Sequence, residues 1–214
     1  MGELSCQAID LVLGEEFNYI VMEYIKGYDL NSDEVKKVNQ KDKHNIFLKI
    51  IEAFSILHSH DLVHGDIHNS NILIVKKNDH NSKFSIKVID YGFSSSPSAI
   101  NTNHGGLTYF IPPERVQQNF IKKNGISKYV PGAESDIYQL GLIGFYLYEN
   151  YLPFRGETWH ILAKNIKSGS AKKMKNCELN YIRNVITSML NKNPSDRPLL
   201  EKVYRLLKER LEGN

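Results

Sequence analysis

The sequence predicts an α+β fold built around one core, and three observations predict it. Two pairs of β-branched and aromatic runs are each joined by a polar turn, and helical patterns fill most of the second half. With 214 residues, 41% of them hydrophobic and 24% charged, the chain is also long enough to bury a sizeable core.

The elements follow in order. Ala8 to Leu13 and Phe17 to Ile25 are apolar runs separated by Gly14-Glu15-Glu16, which predicts a hairpin whose second strand ends at Lys26-Gly27. From Lys43 to His60, the residues Ile46, Phe47, Ile50, Ile51, Phe54 and Leu57 recur at a helical period and predict a long helix with one face turned inward. Ile72 to Val75 and Phe84 to Ile89 bracket a turn-forming polar stretch and predict a second hairpin. Ser94 to Gly106 is rich in Ser and Asn without periodicity, the pattern of a long loop. Helices are expected over Ser135 to Tyr148, Leu179 to Leu190 and Leu199 to Leu211, the last with Pro198 in its first turn.

Composition narrows the classes of function. A net charge of +3 suits phosphorylated ligands but is too small for a nucleic-acid binder, so no nucleic-acid partner is expected. Cys6 and Cys177 stand far apart and outside any metal-ligand spacing, which points to a reduced, cytoplasmic protein. No secretory signal opens the chain, and the apolar stretch Ile137 to Leu147 is too short to span a bilayer, so no membrane association is expected. His58, His60, His64 and His68 lack the paired spacing and fourth ligand of a zinc site.

The chemistry-bearing residues lie between the predicted helix and the second hairpin, and just after it. His64-Gly65-Asp66-Ile67-His68-Asn69-Ser70-Asn71 follows the helix, and Asp90-Tyr91-Gly92 follows the hairpin. Phosphoryl transfer needs a carboxylate to orient and deprotonate the attacking hydroxyl, and oxygen ligands to hold Mg²⁺ on the nucleotide phosphates. Asp66, Asn71 and Asp90 supply those groups, and the hairpin returns Asp90 to the side of Asn71.

On these residues the sequence resembles the protein kinases. Leu57 to Asp66 is similar to the end of their catalytic-loop helix and the loop itself, and Pro112-Pro113-Glu114 resembles their Ala-Pro-Glu. Ser135-Asp136-Ile137-Tyr138-Gln139-Leu140-Gly141 resembles their buried central helix, and Asn193-Pro194-Ser195-Asp196-Arg197-Pro198 the segment with their late arginine. Val21-Met22-Glu23-Tyr24-Ile25 resembles the hinge between lobes. The resemblance implies a mainly helical large lobe over residues 26–214, with residues 1–25 as a remnant of the small lobe and hinge. It implies Asp66, His68 and Asn71 as the catalytic set, and Asn71 and Asp90 as Mg²⁺ ligands. ATP would meet the backbone of Glu23 and Ile25, with Met22 as gatekeeper and Leu73 beneath the base. His64, Tyr91 and Gly92 take structural roles, Glu114 and Arg197 are expected to form a buried ion pair, and Asp136 to bond the catalytic-loop backbone.

The pattern departs from the family at four places. His68 stands where these kinases carry a lysine, Leu107 where a threonine partners it, and Gly65 where an arginine clamps a phosphorylated loop. Phosphate on Ser94, Ser95, Ser96, Ser98 or Thr102 would therefore lack its usual partner. Residues 1–25 contain no Lys or Arg and no glycine-rich phosphate loop, so a partner chain or segment completing the small lobe is expected. The expected reaction moves the ATP γ-phosphate to a Ser/Thr hydroxyl of a protein substrate. The alternatives are a pseudokinase binding module, or a small-molecule or lanthipeptide-type kinase, which the His-Gly-Asp form also resembles.

Overall fold

A computed structural model of the chain describes residues 4–77, 83–90, 108–116 and 132–212. The first hairpin forms from β1 (Ala8–Leu13) and β2 (Asn18–Met22), antiparallel, with a register shift between Ala8 and Asp10. Its second strand ends at Met22, earlier than its apolar run suggests: the Glu23 N–H still bonds the Gln7 carbonyl at 2.9 Å, but the Gln7 N–H goes to the Glu23 carboxylate at 3.0 Å, so the reciprocal backbone bond is missing. The next residues add a strand that the sequence patterns did not reveal. β3 (Tyr28–Asp29) pairs with β4 (Ile72–Lys76), which pairs in turn with β5 (Phe84–Val88), giving an antiparallel β3-β4-β5 sheet.

After the short α1 (Asp33–Lys36), helix α2 runs over Gln40–Ser59. Asn39 caps its start: the side-chain oxygen accepts the Asp42 N–H at 2.8 Å, and its amide donates to the Asp42 carboxylate at 3.1 Å. This satisfies one of the orphan amides of the first turn. The inward face carries Ile46, Phe47, Ile50, Ile51, Ala53, Phe54 and Leu57, and each fully buried Ile, Leu or Phe side chain contributes roughly 1.5–3 kcal/mol. The helix ends where Asp61 enters the left-handed region (φ 54°), while the Leu62 N–H caps the Leu57 carbonyl at 3.2 Å. That reversal aims the chain into the 64–71 loop.

Helix α3 (Ala133–Glu149) is buried on nearly every side, as expected of a helix without a polar face at the centre of a domain. It packs on α2 and on α5 (Asn180–Met189), and α2 also packs on α6 (Leu200–Glu212). The approach at Gly144 is so close that a β-carbon there would lie 2.8 Å from the Phe47 ring and 3.0 Å from Ile186. Helix α4 (Trp159–Ser168) was not evident from apolar spacing, since only Leu162, Ala163 and Ile166 are buried along it. Pro198 lies ahead of α6 rather than in its first turn: the Leu199 carbonyl accepts the opening bonds of the helix. Among the described residues, no helix is long and apolar enough to cross a membrane. The expected loop over Ser94 to Gly106, with Tyr91, Gly92 and Leu107, lies outside the described residues.

The β1–β2 hairpin carries an apolar surface with nothing described against it. Leu13 is 72% exposed, Phe17 66% and Ile20 65%, far from what a folded core leaves open. A two-stranded hairpin is not stable alone. Here it is tied down at its base, where Ser5 bridges Val88, and the Lys87 ammonium reaches Glu23 at 2.9 Å and the Ser5 carbonyl at 3.1 Å. This contact holds the Glu23 carboxyl below its usual range, chiefly through the Lys87 hydrogen bond and then the Gln7 amide.

Candidate active site

The 64–71 loop is held from below by α3. Asp136 is fully buried and accepts the backbone N–H of His64 at 2.8 Å and of Gly65 at 2.9 Å, while His58 Nε2 donates to it at 3.0 Å. Three donors on one carboxylate fix the loop's base to the central helix. Gly65 adopts φ 78°, a conformation that strains any residue with a β-carbon, which accounts locally for glycine at this position. One turn further along α3, Gln139 accepts the Ile67 N–H at 3.2 Å and donates to the Phe110 carbonyl at 3.1 Å. It thereby couples the loop to the segment around Pro112 and Pro113.

His64 is buried against the Phe54 ring, with its Nδ1 accepting the Asp66 N–H at 3.3 Å. Burial pulls its pKa down, opposed by the Asp136 charge and a bond to the Ile89 backbone. His44 is likewise depressed by burial. Its Nε2–H meets the Leu207 carbonyl at 3.1 Å, which leaves Nδ1 to accept the Tyr181 hydroxyl at 3.0 Å. Both histidines are therefore neutral in the native protein, whereas an unfolded chain protonates them near pH 6.5. Native stability is expected to fall as pH drops through about 6.5 toward the depressed native values. Urea midpoints that stay equal at pH 7.5 and 5.5 would exclude this.

The three oxygen-bearing side chains converge. Asn71 is buried and donates its Nδ2–H to the Asp66 carbonyl at 3.1 Å, which leaves Oδ1 as the oxygen available to a cation. The Asn71 carbonyl accepts the Ile89 N–H at 2.9 Å, so Asp90, at φ 61°, stands beside it at the end of β5. Oxygen donors of this kind suit a hard divalent ion such as Mg²⁺. Asp66 is buried, with its Oδ2 3.8 Å from His68 Nε2, and His68 Nδ1 accepts the Ser70 N–H at 3.3 Å. Burial raises the Asp66 pKa, the Asp90 charge adds to the rise, and His68, His64 and Arg115 oppose it.

The other candidate residues frame this centre. Gly27, two residues beyond the hinge-like segment, packs against Leu73: a β-carbon there would lie 3.3 Å from the Leu73 Cβ. Met22 is 41% exposed and Ile25 half-buried. The Glu23 carbonyl accepts the Cys6 thiol at 3.4 Å, a weak sulfur bond that leaves a lone pair for another donor. Arg197, its side chain fully buried, forks onto Glu114 at 2.8 and 2.9 Å and also donates to the carbonyls of Glu134 (2.7 Å) and Asn191 (2.8 Å). Glu114 is partly open and takes a further bond from Ser135 at 2.9 Å.

Three participants were missed by reasoning from sequence. The sequence shows Gln139 only within the Ser135 to Gly141 motif and His58 only among histidines without metal-site spacing, and it gives no sign of Asn31. Asn31 accepts the Asn69 amide and the Tyr146 hydroxyl (3.0 Å), tying the loop to α3 from the other side. Their partners lie 29 to 115 residues away in sequence, so no local signal marks them.

Comparison with known proteins gives the family. The profile of the protein kinase domain matches residues 6–206. Serine/threonine-protein kinase PrkC of Bacillus subtilis (strain 168) is 31% identical over 196 residues, 86% of this chain and 28% of that protein. CBL-interacting protein kinase 12 of Oryza sativa subsp. japonica is 26% identical over 192 residues (89% of this chain, 34% of the relative), and serine/threonine-protein kinase Nek3 of Mus musculus 29% identical over 191 (86% and 34%). The chain thus spans about a third of the length of these relatives. With the profile covering nearly all of its length, the chain belongs to the protein kinase domain family.

Proposed function

We propose that this chain forms the large lobe and hinge of a protein kinase that transfers the γ-phosphate of Mg-ATP to a Ser/Thr hydroxyl of a protein. The observation that carries the reading is the pair of hydrogen bonds that gathers Asp66, Asn71 and Asp90: Asn71 Nδ2 to the Asp66 carbonyl, and Ile89 N–H to the Asn71 carbonyl. In this reading the Asp66 carboxylate orients the substrate hydroxyl and takes its proton as the oxygen bonds to phosphorus and ADP leaves. Asn71 Oδ1 and Asp90 would hold Mg²⁺, whose charge would offset that of the phosphates. The adenine lies between the Glu23–Ile25 backbone and Leu73. His68 faces Asp66 with an Nε2–H where a lysine would reach further, so it assists the transferring phosphate less. The Arg197–Glu114 pair and the Gln139–Phe110 bond support a braced segment for a protein substrate, in preference to a small molecule.

The exposed β1–β2 hairpin supports a second element of the proposal: polypeptide outside residues 4–22 covers it and supplies the phosphate grip, from the same chain or from another. Two free thiols, both made less acidic by burial, suit a reducing compartment such as the cytosol.

The test is transfer of label from γ-labelled ATP to a mixed protein substrate, measured for the wild type and Asp90→Asn, with a glycine-loop and lysine-bearing small-lobe segment supplied in cis. Magnesium-dependent transfer that Asp90→Asn removes is the expected result. Transfer that stays undetectable in the completed protein would leave a binding module as the function.

A further inference from the structure

A second charged feature lies away from the transfer centre. Residues 164–192 carry seven Lys or Arg and one acidic side chain, Glu178, a net charge of +6; the whole chain carries +3, so everything outside this segment sums to −3. The segment spans the end of α4, the following loop and α5, and it lines most of a half-open cavity of about 610 Å³. Lys172, Lys173, Arg183 and Lys192 line it above an apolar floor that includes Phe145 and Leu190. No acidic side chain lines it, and among the described residues none of the four cations forms an ion pair.

Two further observations mark it as a built site. The Arg183 Nε is buried without a hydrogen-bond partner among the described residues, a cost that a bound anion would relieve. The basic loop is also held in place. Buried Glu149 accepts the backbone N–H groups of Lys175 (2.9 Å), Asn176 (2.8 Å) and Cys177 (3.2 Å), and the Lys172 N–H bonds the Pro153 carbonyl at 3.0 Å. The Lys172 ammonium lies 5.8 Å from the Tyr151 ring centroid, a contact that orients it without cancelling its charge. Such preorganisation lowers the entropy cost of capturing a ligand.

We propose that this cavity docks a phosphorylated segment of a partner protein, the phosphate meeting Arg183 and the lysines and a neighbouring apolar side chain resting on Met174 and Leu190. A dianionic phosphate matches clustered cations and a forked guanidinium better than a single carboxylate does. A half-open basic cavity with an apolar floor suits a peptide, whereas a nucleic acid needs a basic stripe that tracks its backbone. Phe145 stands nine positions along α3 from Asp136, about 14 Å of helix rise, so the cavity is separate from the loop that carries Asp66. A docked segment would therefore position a protein and would not itself be the group acted upon.

The experiment is fluorescence anisotropy of the full chain against two degenerate peptide pools, one with a central phosphoserine and one with a central serine, at about physiological ionic strength. The phosphoserine pool is expected to bind at least about tenfold more tightly. Lys173→Glu combined with Lys192→Glu, both exposed positions, should remove that preference with the thermal midpoint unchanged, and Arg183→Gln should weaken it separately. Equal binding of the two pools, indifference to the charge reversals, or an RNA oligonucleotide that competes as well as the phosphopeptides would overturn the proposal. The readout is binding alone, so its failure is distinguishable from failure of the phosphoryl-transfer reading.

Discussion

Asp66→Asn is expected to lower phosphoryl transfer by about 10²–10⁴-fold while the thermal midpoint stays the same or rises. The two effects have one cause. Asp66 is buried, and burial raises its pKa above the usual carboxylate value, with His68, His64 and Arg115 opposing the rise. A group whose native pKa is raised favours the native state only below its unfolded pKa, near 3.8, and that advantage is lost as pH rises through the native value. At neutral pH the ionised carboxylate is therefore a net cost to folding. Asparagine keeps the shape and an acceptor toward His68 but removes the charge, and with it the capacity to accept a proton. Loss of activity accompanied by a fall of several degrees in midpoint would show instead that Asp66 is a structural group. Unchanged activity would remove it from the reaction.

Arg197→Met is expected to cost about 3–5 kcal/mol, the range for breaking a buried ion pair from one side. For a chain of this size that is a drop of about 10 °C in midpoint. The guanidinium makes two bonds to Glu114, two more to the carbonyls of Glu134 and Asn191, and stacks 4.9 Å over the Tyr138 ring. Methionine fills much of the volume and leaves those acceptors without their donor, with Glu114 keeping only Ser135 among the bonds described for it. Adding Glu114→Gln should recover part of the loss, because the unpaired carboxylate is the costly remainder. A double variant no more stable than the single one would place the cost in the backbone carbonyls. Arg197 joins the end of α5, the start of α3 and the 112–116 segment, so the loss should appear as cooperative unfolding of the helical core.

Much of the fold was legible from local pattern. The apolar positions of α2 recur at a helical period because one face of that helix meets the core, and α3 lacks a polar face because it is enclosed. Elements were lost where the pattern is weak for a physical reason. Helix α4 buries three residues in ten, so its sequence reads as mostly polar. Strand β3 is two residues long, too short to alternate, and exists because β4 offers it an edge. The pattern around Pro198 predicts it in the first turn of the last helix, whereas it stands just ahead of the cap, because proline is as compatible with the approach to a helix as with its first turn.

The site divides in the same way. The loop from His64 to Asn71 is short, so the spacing of Asp66 and Asn71 and the return of Asp90 after β5 follow from chain connectivity alone. Hairpin pairing can be read from turn chemistry, and it carries Asp90 back beside Asn71. By itself, then, the sequence determined the α+β class, the major helices and the identity of a local cluster of carboxylate and amide groups. Tertiary structure alone decided what holds that cluster still: Asp136 and Gln139 beneath the loop, Asn31 at its side, Glu149 under a distant basic loop, and a depressed His64 within. These arrangements depend on burial and on hydrogen bonds between residues tens of positions apart. A side chain's desolvation and its long-range partner are properties of the packed molecule, and no local run of residues encodes them.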